Sequence, residues 1–265
     1  GGKYSLAGAL AQSMNIPTFS LFLMIGFDKV DRLWQSMGFS YPLVNLPSIA
    51  MGTAEASILE VARAYASFAN GGTTVTPYLI ESVKAPDGSV LWEYSPPQNQ
   101  ERVLSERSSI LMGAMLEKAI REGTGASVHS VYGVKVPLAG KTGTSQNYAD
   151  AWFAAFNPGL VIVSRVGAST PAIHFNNGSY GSGSSLALPL VALTLKKVER
   201  DKDIMDRINV PFAPLPPELA MALDCPDFRD KSFFDRLIDI FKDNNIDYKK
   251  ESRRRRFIRG RIFRL

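Results

Sequence analysis

A short polar segment between two apolar runs constrains the fold of this chain more than any other feature. Lys141-Thr142-Gly143-Thr144-Ser145 follows the apolar residues 134–138 and precedes a second apolar run at residues 151–156. Short apolar runs that are bounded by polar and turn-forming residues are typical of β-strands. The sequence therefore predicts two strands joined by a polar segment, and it predicts that the first of them runs over residues 134–143.

The residue types in this segment suit the binding of an anion. Lys141 supplies positive charge, the hydroxyls of Thr142 and Thr144 supply hydrogen-bond donors, and Gly143 leaves the backbone open to a ligand. A Lys-Thr-Gly triplet by itself could equally be a solvated turn. The rest of the chain has to decide between a solvated turn and an anion-binding site.

The pattern along the remaining chain predicts helices around an antiparallel meander. Helical spacing and stop signals predict helices near residues 6–13, 17–26, 28–37, 58–70, 106–122 and 186–198. Ser57 with Glu60 matches a capping box, and Ser105 is a second candidate cap. Strands are predicted at residues 78–83 and 90–94, and at residues 151–156 and 160–167. We expect an α/β fold of the α+β type, with an antiparallel β-sheet flanked by helices.

Composition and charge restrict the function classes. Of 265 residues 45% are hydrophobic, which is enough for a sizeable core. Residues 247–265 contain nine Lys/Arg and two Asp/Glu, so the rest of the chain carries −2 of the total +5. A nearly neutral body makes nucleic acid an unexpected partner. The single cysteine, Cys225, excludes an intrachain disulfide and a multi-cysteine zinc site.

The chain divides by composition near residue 200. Residues 1–200 carry the predicted helices and strands, whereas residues 201–265 contain a proline-rich linker, an apolar helical pattern at 233–241 and an arginine-rich tail. The arginines of this tail alternate with Phe and Ile, a pattern that fits either contact with an anionic membrane surface or a solvated tail. No window reaches the ~20 apolar residues that a membrane span requires.

Ser13-Met14-Asn15 is a second polar cluster, at a predicted junction between two helices. A Ser-x-Asn element followed by a Lys-Thr-Gly element is part of the signature of penicillin-binding proteins and serine β-lactamases. The chain resembles the transpeptidase domain of penicillin-binding proteins, most closely the bifunctional class A kind. The resembling pieces, in the family's order, are Ala9 to Asn15, Ala62 to Tyr65, Phe68 to Gly72, Arg121-Glu122-Gly123-Thr124-Gly125, Ala139 to Ser145 and Asp150 to Phe153.

The resemblance implies acyl transfer from D-alanyl-D-alanine stem peptides of peptidoglycan through a serine acyl-enzyme, which β-lactams also form. It implies that Ser13 relays a proton and that Asn15 binds the substrate amide. It also implies that Lys141, Thr142 and Thr144 bind the substrate carboxylate, that the Thr144 N–H belongs to the oxyanion hole, and that Gly143 keeps the strand edge open. No metal or organic cofactor is implied. From local spacing alone, Ser13 and Asn15 could instead cap the helix that contains Pro17.

The nucleophile of the family is absent from this sequence. In the family it lies in a Ser-x-x-Lys motif before the Ser-x-Asn, and here no serine has a lysine three residues later. We therefore expect a chain that begins within a longer protein and is inactive alone, whose parent has an upstream glycosyltransferase domain and an inner-membrane anchor and places this domain in the periplasm. The alternatives are a DD-carboxypeptidase or β-lactamase, in which water resolves the acyl-enzyme, and an inactive β-lactam sensor or scaffold.

Overall fold

The computed structural model describes residues 4–97 and 100–223. Apart from Tyr4 and Ser5, these residues fall within one unit, Leu6–Asp224. The helix predicted at 233–241 and the arginine-rich tail lie outside the described residues. The domain boundary predicted at residue 200 stays a prediction, although Ile208 and Phe212 contribute to the core of the unit.

Helices precede, flank and follow the strands. The helices are α1 (Leu6–Ala11), α2 (Asn15–Ile25), α3 (Phe27–Ser36), α4 (Ile58–Ala69), α5 (Glu106–Glu122), α6 (Ser127–Ser130), α7 (Gly178–Gly181), α8 (Ala187–Val198), α9 (Lys202–Ile208) and α10 (Pro217–Leu223), with short 3-10 turns at Pro47–Met51 and Gln146–Tyr148. The strands are β1 (Ser82–Lys84), β2 (Val90–Glu93), β3 (Ala139–Thr144), β4 (Asp150–Asn157) and β5 (Leu160–Gly167).

The two small sheets are antiparallel, as predicted. β1 pairs with β2 around the Pro-Asp-Gly turn, and the larger sheet has the order β3-β4-β5. In the larger sheet Lys141 pairs with Ala154 and Gly143 with Trp152. β3 is therefore an edge strand of the described sheet, and its second edge is available to other groups. The predicted antiparallel sheet flanked by helices is confirmed.

Helices cover both faces of the larger sheet. Successive side chains of β4 point to opposite sides, so Phe153 and Phe156 lie on different faces. Phe153 belongs to a cluster with Leu188 and Val191, where α8 packs on β4 and β5. Phe156 belongs to a second cluster with Leu116, where α4 and α5 pack against the sheet. The central strand is thus held between two helical layers, which fixes the position of its neighbour β3.

Two predicted helix starts are confirmed at the level of side chains. The Ser57 hydroxyl accepts a hydrogen bond from the backbone N–H of Glu60, and the Glu60 carboxylate accepts one from the Ser57 N–H at 2.7 Å. The hydroxyl of Ser105 accepts from the Ser108 N–H at 3.1 Å at the start of α5. These contacts satisfy backbone donors that have no partner within the helix.

The strand predicted over residues 134–143 is partly wrong, since β3 begins only at Ala139. Val136 and Leu138 are buried, so the apolar run enters the core without joining the sheet. Pro137 has no N–H to donate to a ladder, and its carbonyl accepts a hydrogen bond from the Asn157 side chain at 2.9 Å. The strands around the Pro-Asp-Gly turn are also shorter than the predicted runs.

Helix α2 is apolar on all sides, and none of its residues is buried. Ile16, Leu23 and Met24 are 72%, 63% and 71% exposed. A helix that is hydrophobic around its whole circumference is normally a buried one. Within the described ranges, no helix has both the length and the apolar character needed to cross a membrane.

Candidate active site

Ser13 lies in the turn that ends α1. The Met14 N–H donates to the Ala9 carbonyl and the Ser13 N–H to the Leu10 carbonyl, which is the Schellman pattern of a helix end. Ser13 has φ +54° in the position of that motif where glycine is the usual residue. Left-handed backbone is costly for a residue with a Cβ. The hydroxyl of Ser13, rather than its backbone conformation, therefore explains why a serine occupies this position.

The hydroxyl of Ser13 is bonded to the other predicted element of the site. The Lys141 ammonium donates a hydrogen bond to the Ser13 Oγ and a second, of 3.0 Å, to the Thr142 carbonyl. Burial lowers the pKa of Lys141 from 10.5 to about 8. The lysine is therefore still mostly charged at pH 7, in a place where little water competes for its protons.

The cap interpretation of Ser13 and Asn15 is wrong. The N-cap of α2 is Met14, and no side chain caps that helix. Asn15 is the first residue of α2 and is exposed. Its side chain forms no hydrogen bond within the part of the chain that the structure describes. Asn15 is thus an exposed residue that takes no part in a cap, and its predicted role in binding substrate stays a prediction.

The end of α5 joins the serine turn to β3. Gln12 Nε2 donates to the Glu122 carbonyl at 3.1 Å, and the Thr124 N–H donates to the Ala11 carbonyl at 3.2 Å. A Cβ on Gly123 would overlap that same carbonyl. The Thr124 hydroxyl lies 2.6 Å from the Thr142 hydroxyl. The sequence pattern predicted that a helix ends at Gly123 and included Gly123 and Thr124 in the resemblance, but it assigned neither residue a contact.

The loop before α8 fixes the far end of β3. The Gly183 N–H donates to the Thr144 Oγ1 at 3.0 Å. A Cβ on Gly183 would overlap the carbonyls of Gly143 and Trp152, so this close approach requires glycine. Because the Thr144 hydroxyl accepts from Gly183, its own hydrogen remains available to donate. Sequence reasoning missed Gly183, and its only signal was the glycine and serine content of the loop.

The loop between β3 and β4 directly follows the predicted site residues of β3. Asn147 and Tyr148 both have left-handed backbone, with φ +57° and +55°. Gly178 and Gly181 lie against the Tyr148 ring and would contact it if they carried a Cβ. Two non-glycine residues in this conformation within one loop indicate that packing holds the loop in place.

Five of the six predicted site residues are brought together, and Asn15 lies two positions beyond Ser13. Lys141, Thr142, Gly143 and Thr144 end the edge strand, and Ser13 meets them at Lys141. One cation and two threonine hydroxyls at the exposed end of a strand can bind a carboxylate. Across residues 4–97 and 100–223, no group of three or more His, Cys, Asp or Glu side chains has the arrangement of a metal site.

A serine hydroxyl that accepts a hydrogen bond from a half-buried lysine, at the edge of a sheet flanked by helices, is the arrangement that the resemblance to penicillin-binding transpeptidase domains implies. Residues 1–180 match the family model described as the penicillin-binding protein transpeptidase domain, so the chain belongs to this family. Its relatives include class A proteins. Penicillin-binding protein 1A of Neisseria meningitidis is 32% identical over 197 residues, which are 71% of this chain and 24% of the relative.

Two further comparisons agree with this assignment. Penicillin-binding protein 1B of Escherichia coli is 32% identical over 167 residues, covering 63% of this chain and 19% of that protein. The crystal structure of penicillin-binding protein 1A from Haemophilus influenzae superposes with a TM-score of 0.69 at 25% identity, covering 80% of this chain and 36% of that one. The chain thus spans about a quarter of the length of the first curated relative it matches.

Proposed function

We propose that this chain provides the peptide-binding and proton-relay part of a peptidoglycan cross-linking DD-transpeptidase. The observation that carries the proposal is the hydrogen bond from the Lys141 ammonium to the Ser13 hydroxyl, beside the hydroxyls of Thr142 and Thr144. The substrate is a stem peptide that ends in D-alanyl-D-alanine. Membership of the transpeptidase family supports the same assignment.

The reaction needs an anion site and a proton relay, and these residues fit both. The terminal carboxylate of the peptide binds Lys141 and the hydroxyls of Thr142 and Thr144, since charge-assisted hydrogen bonds are the stronger ones. Ser13 accepts from the ammonium, so its own hydrogen can be donated to the nitrogen of the departing D-alanine. Asn15 binds the peptide amide, and Gly143 leaves room for the peptide backbone along the strand.

The nucleophile comes from polypeptide outside this sequence, because no serine here is followed three residues later by lysine. Its hydroxyl oxygen attacks the penultimate D-alanine carbonyl, and the C–N bond to the terminal D-alanine breaks. The leaving nitrogen takes the proton of Ser13, and the proton that the attacking hydroxyl loses replaces it. An amine of a neighbouring peptide then attacks the resulting ester and frees the serine. The Thr144 N–H stabilises the oxyanion, and one such donor contributes on the order of 3 kcal/mol.

The uncovered helix beside Ser13 supports a contribution from further polypeptide. α2 is apolar on all sides, has no buried residue and begins two positions after Ser13. Large exposed apolar surfaces usually mark places where something else packs. A segment that covers the start of α2 would lie near the turn that holds Ser13, since α2 begins two positions after that residue.

The setting of the whole protein follows the class A relatives. We propose an upstream glycosyltransferase domain, an anchor in the inner membrane and a periplasmic location for this domain, with β-lactams as covalent inhibitors. Contact of the arginine-rich tail with an anionic membrane surface also remains a proposal.

Peptide binding tests the anion site directly. We expect N-acetyl-D-alanyl-D-alanine at millimolar concentration to shift the amide resonances of Ser13, Thr142 and Thr144 in nuclear magnetic resonance spectra of this chain. The same peptide with a C-terminal amide should shift them much less, because it lacks the carboxylate. Lys141→Met should abolish the difference, whereas Lys202→Met at the exposed start of α9 should preserve it. Equal shifts by acid and amide would refute the proposal.

A fluorescent penicillin tests the role of the missing nucleophile. We expect no covalent labelling of this chain, and labelling of a longer chain whose added segment contains Ser-x-x-Lys. Covalent labelling of the 265 residues alone would show that the nucleophile lies within them. A long chain that hydrolyses the peptide and gives no cross-linked product with an added amine would favour the hydrolase.

A further inference from the structure

Thr124 is in contact with both of the structures that carry the Ser13–Lys141 pair. Its N–H donates to the carbonyl of Ala11, two residues before Ser13, at 3.2 Å. Its hydroxyl lies 2.6 Å from that of Thr142, the residue next to Lys141. One residue thus joins the end of α1 to the edge strand.

Helix α5 lies between the turn that holds Ser13 and the edge strand of the sheet. α1 packs against α5, and α5 packs against β3. The turn that holds Ser13 is thus connected to the sheet through α5 as well as through its own bond to Lys141, and Thr124 lies at the end of α5. A displacement at that point changes the separation of the serine and the lysine directly.

The backbone around Thr124 is itself fixed. The N–H groups of Gly123 and Gly125 both donate to the carbonyl of Ala119, at 3.1 and 3.2 Å. The absence of a side chain on Gly123 allows the Ala11 carbonyl to approach. Thr124 can therefore act as a rigid link, because bonds within the end of α5 hold its backbone in addition to its own bonds to Ala11 and Thr142.

We propose that Thr124 is a positioning residue that sets the separation of Ser13 and Lys141 through its hydroxyl. The pair is catalytic only if the proposed function is correct, but the positioning itself does not depend on substrate. The Thr124 hydroxyl holds Thr142, and with it the end of β3, against the turn of α1. Without that bond, the ammonium of Lys141 is expected to separate from Ser13 and to gain water.

The test is a titration of Lys141 in this chain, with ¹³C-labelled lysine and assignment through Lys141→Arg. In the wild-type chain the pKa is about 8. Thr124→Val removes the hydroxyl and keeps both the shape and the N–H, and it should raise the pKa of Lys141 by about one pH unit. Thr124→Ser retains a hydroxyl and should restore the wild-type titration.

A matched control separates positioning from general packing. Gln12→Ala removes another bond between α1 and the end of α5, namely Gln12 Nε2 to the Glu122 carbonyl. That bond does not reach β3, so the pKa of Lys141 should not change. If Thr124→Val does not fold, Thr142→Val removes the other half of the same bond and should raise the pKa equally.

The outcomes are distinct. A Lys141 titration that is the same in the wild type and in Thr124→Val, or an equal shift in Thr124→Ser, would overturn the positioning role. A shift in Thr124→Val that serine reverses would establish it. Failure of the acetylated dipeptide to bind the wild-type chain would instead remove the proposed function and leave this result unchanged.

Discussion

The ammonium of Lys141 donates a hydrogen bond to the hydroxyl of Ser13, although 128 positions separate the two residues in the chain. The serine occupies a left-handed turn at the end of α1, and the lysine lies in the edge strand β3. Neither arrangement favours stability by itself: the turn costs backbone strain, and the burial of the ammonium costs hydration. Costs of this kind are typical of sites that are kept for function.

Substitution of Ser13 should separate backbone strain from the side-chain contact. Ser13→Gly and Ser13→Ala both remove the hydroxyl, but only alanine keeps a Cβ at φ +54°. We expect the alanine variant to be less stable than the glycine variant by about 1 kcal/mol, since left-handed backbone is accessible to glycine. Thermal and urea unfolding would measure the difference, and an alanine variant as stable as the glycine variant would contradict it.

Removal of the charge at Lys141 should stabilise the fold at neutral pH. The folded pKa of about 8 is below the ordinary value of 10.5, so the unfolded chain binds more protons between these values. The cost of the buried charge is therefore complete below pH 8 and disappears as the pH rises towards 10.5. We expect Lys141→Met to unfold at a higher urea concentration than the wild type at pH 7. Its free energy of unfolding should be larger by on the order of 1 kcal/mol, once solvent screening of the charge is allowed for.

The pH dependence supplies the control for that prediction. The advantage of Lys141→Met should decrease from pH 8 upwards, whereas Lys202→Met, at an exposed position, should show no such trend. An advantage that is constant from pH 7 to pH 10.5 would mean that packing, rather than charge, distinguishes the variant.

Gly113 within α5 and Gly123 directly after it should respond in opposite directions to alanine. At Gly113 a Cβ would meet no atom within 4 Å, so Gly113→Ala should stabilise the helix by up to ~1 kcal/mol. At Gly123 a Cβ would overlap the carbonyls of Ala11 and Ala119, so Gly123→Ala should destabilise the chain by about 1–3 kcal/mol. Denaturant unfolding of the two variants tests this, and stabilisation by both would show that α1 does not pack as closely as the structure indicates.

The capping box of α4 should contribute stability that acid removes. Hydrogen bonds from Ser57 and Ser40 lower the pKa of Glu60 to about 2, from an ordinary value of 4.5. The contribution is complete above pH 4.5 and is lost as the pH falls towards 2. Glu60→Gln should therefore cost up to about 1 kcal/mol at pH 7 and almost nothing at pH 2.

Unfolding at a series of pH values would check this prediction. Glu81→Gln, at an exposed position of the chain, is the matched control and should follow the wild type throughout. If Glu60→Gln and wild type differed by the same amount at pH 7 and pH 2, the charge of Glu60 would have no part in the cap.

Local rules predicted most elements of this fold. The bounds of β5 and the caps at Ser57 and Ser105 agree with the structure, because each depends on residues within a few positions of one another. Local rules were wrong for the start of β3 and for the cap of α2. In both cases the residue forms a hydrogen bond with a partner that is distant in the chain. The Pro137 carbonyl accepts from Asn157, and the Ser13 hydroxyl accepts from Lys141.

The sequence alone determined which chemical groups are present: a hydroxyl–amide pair at a helix junction, a cation and two threonines at a strand end, and no Ser-x-x-Lys serine. Only the tertiary structure decided that Ser13 meets Lys141 and that Thr124 and Gly183 hold the strand from either side. The reason is that periodicity and capping act over a few residues. The meeting of two residues 128 positions apart depends on how α1, α5 and the sheet pack together.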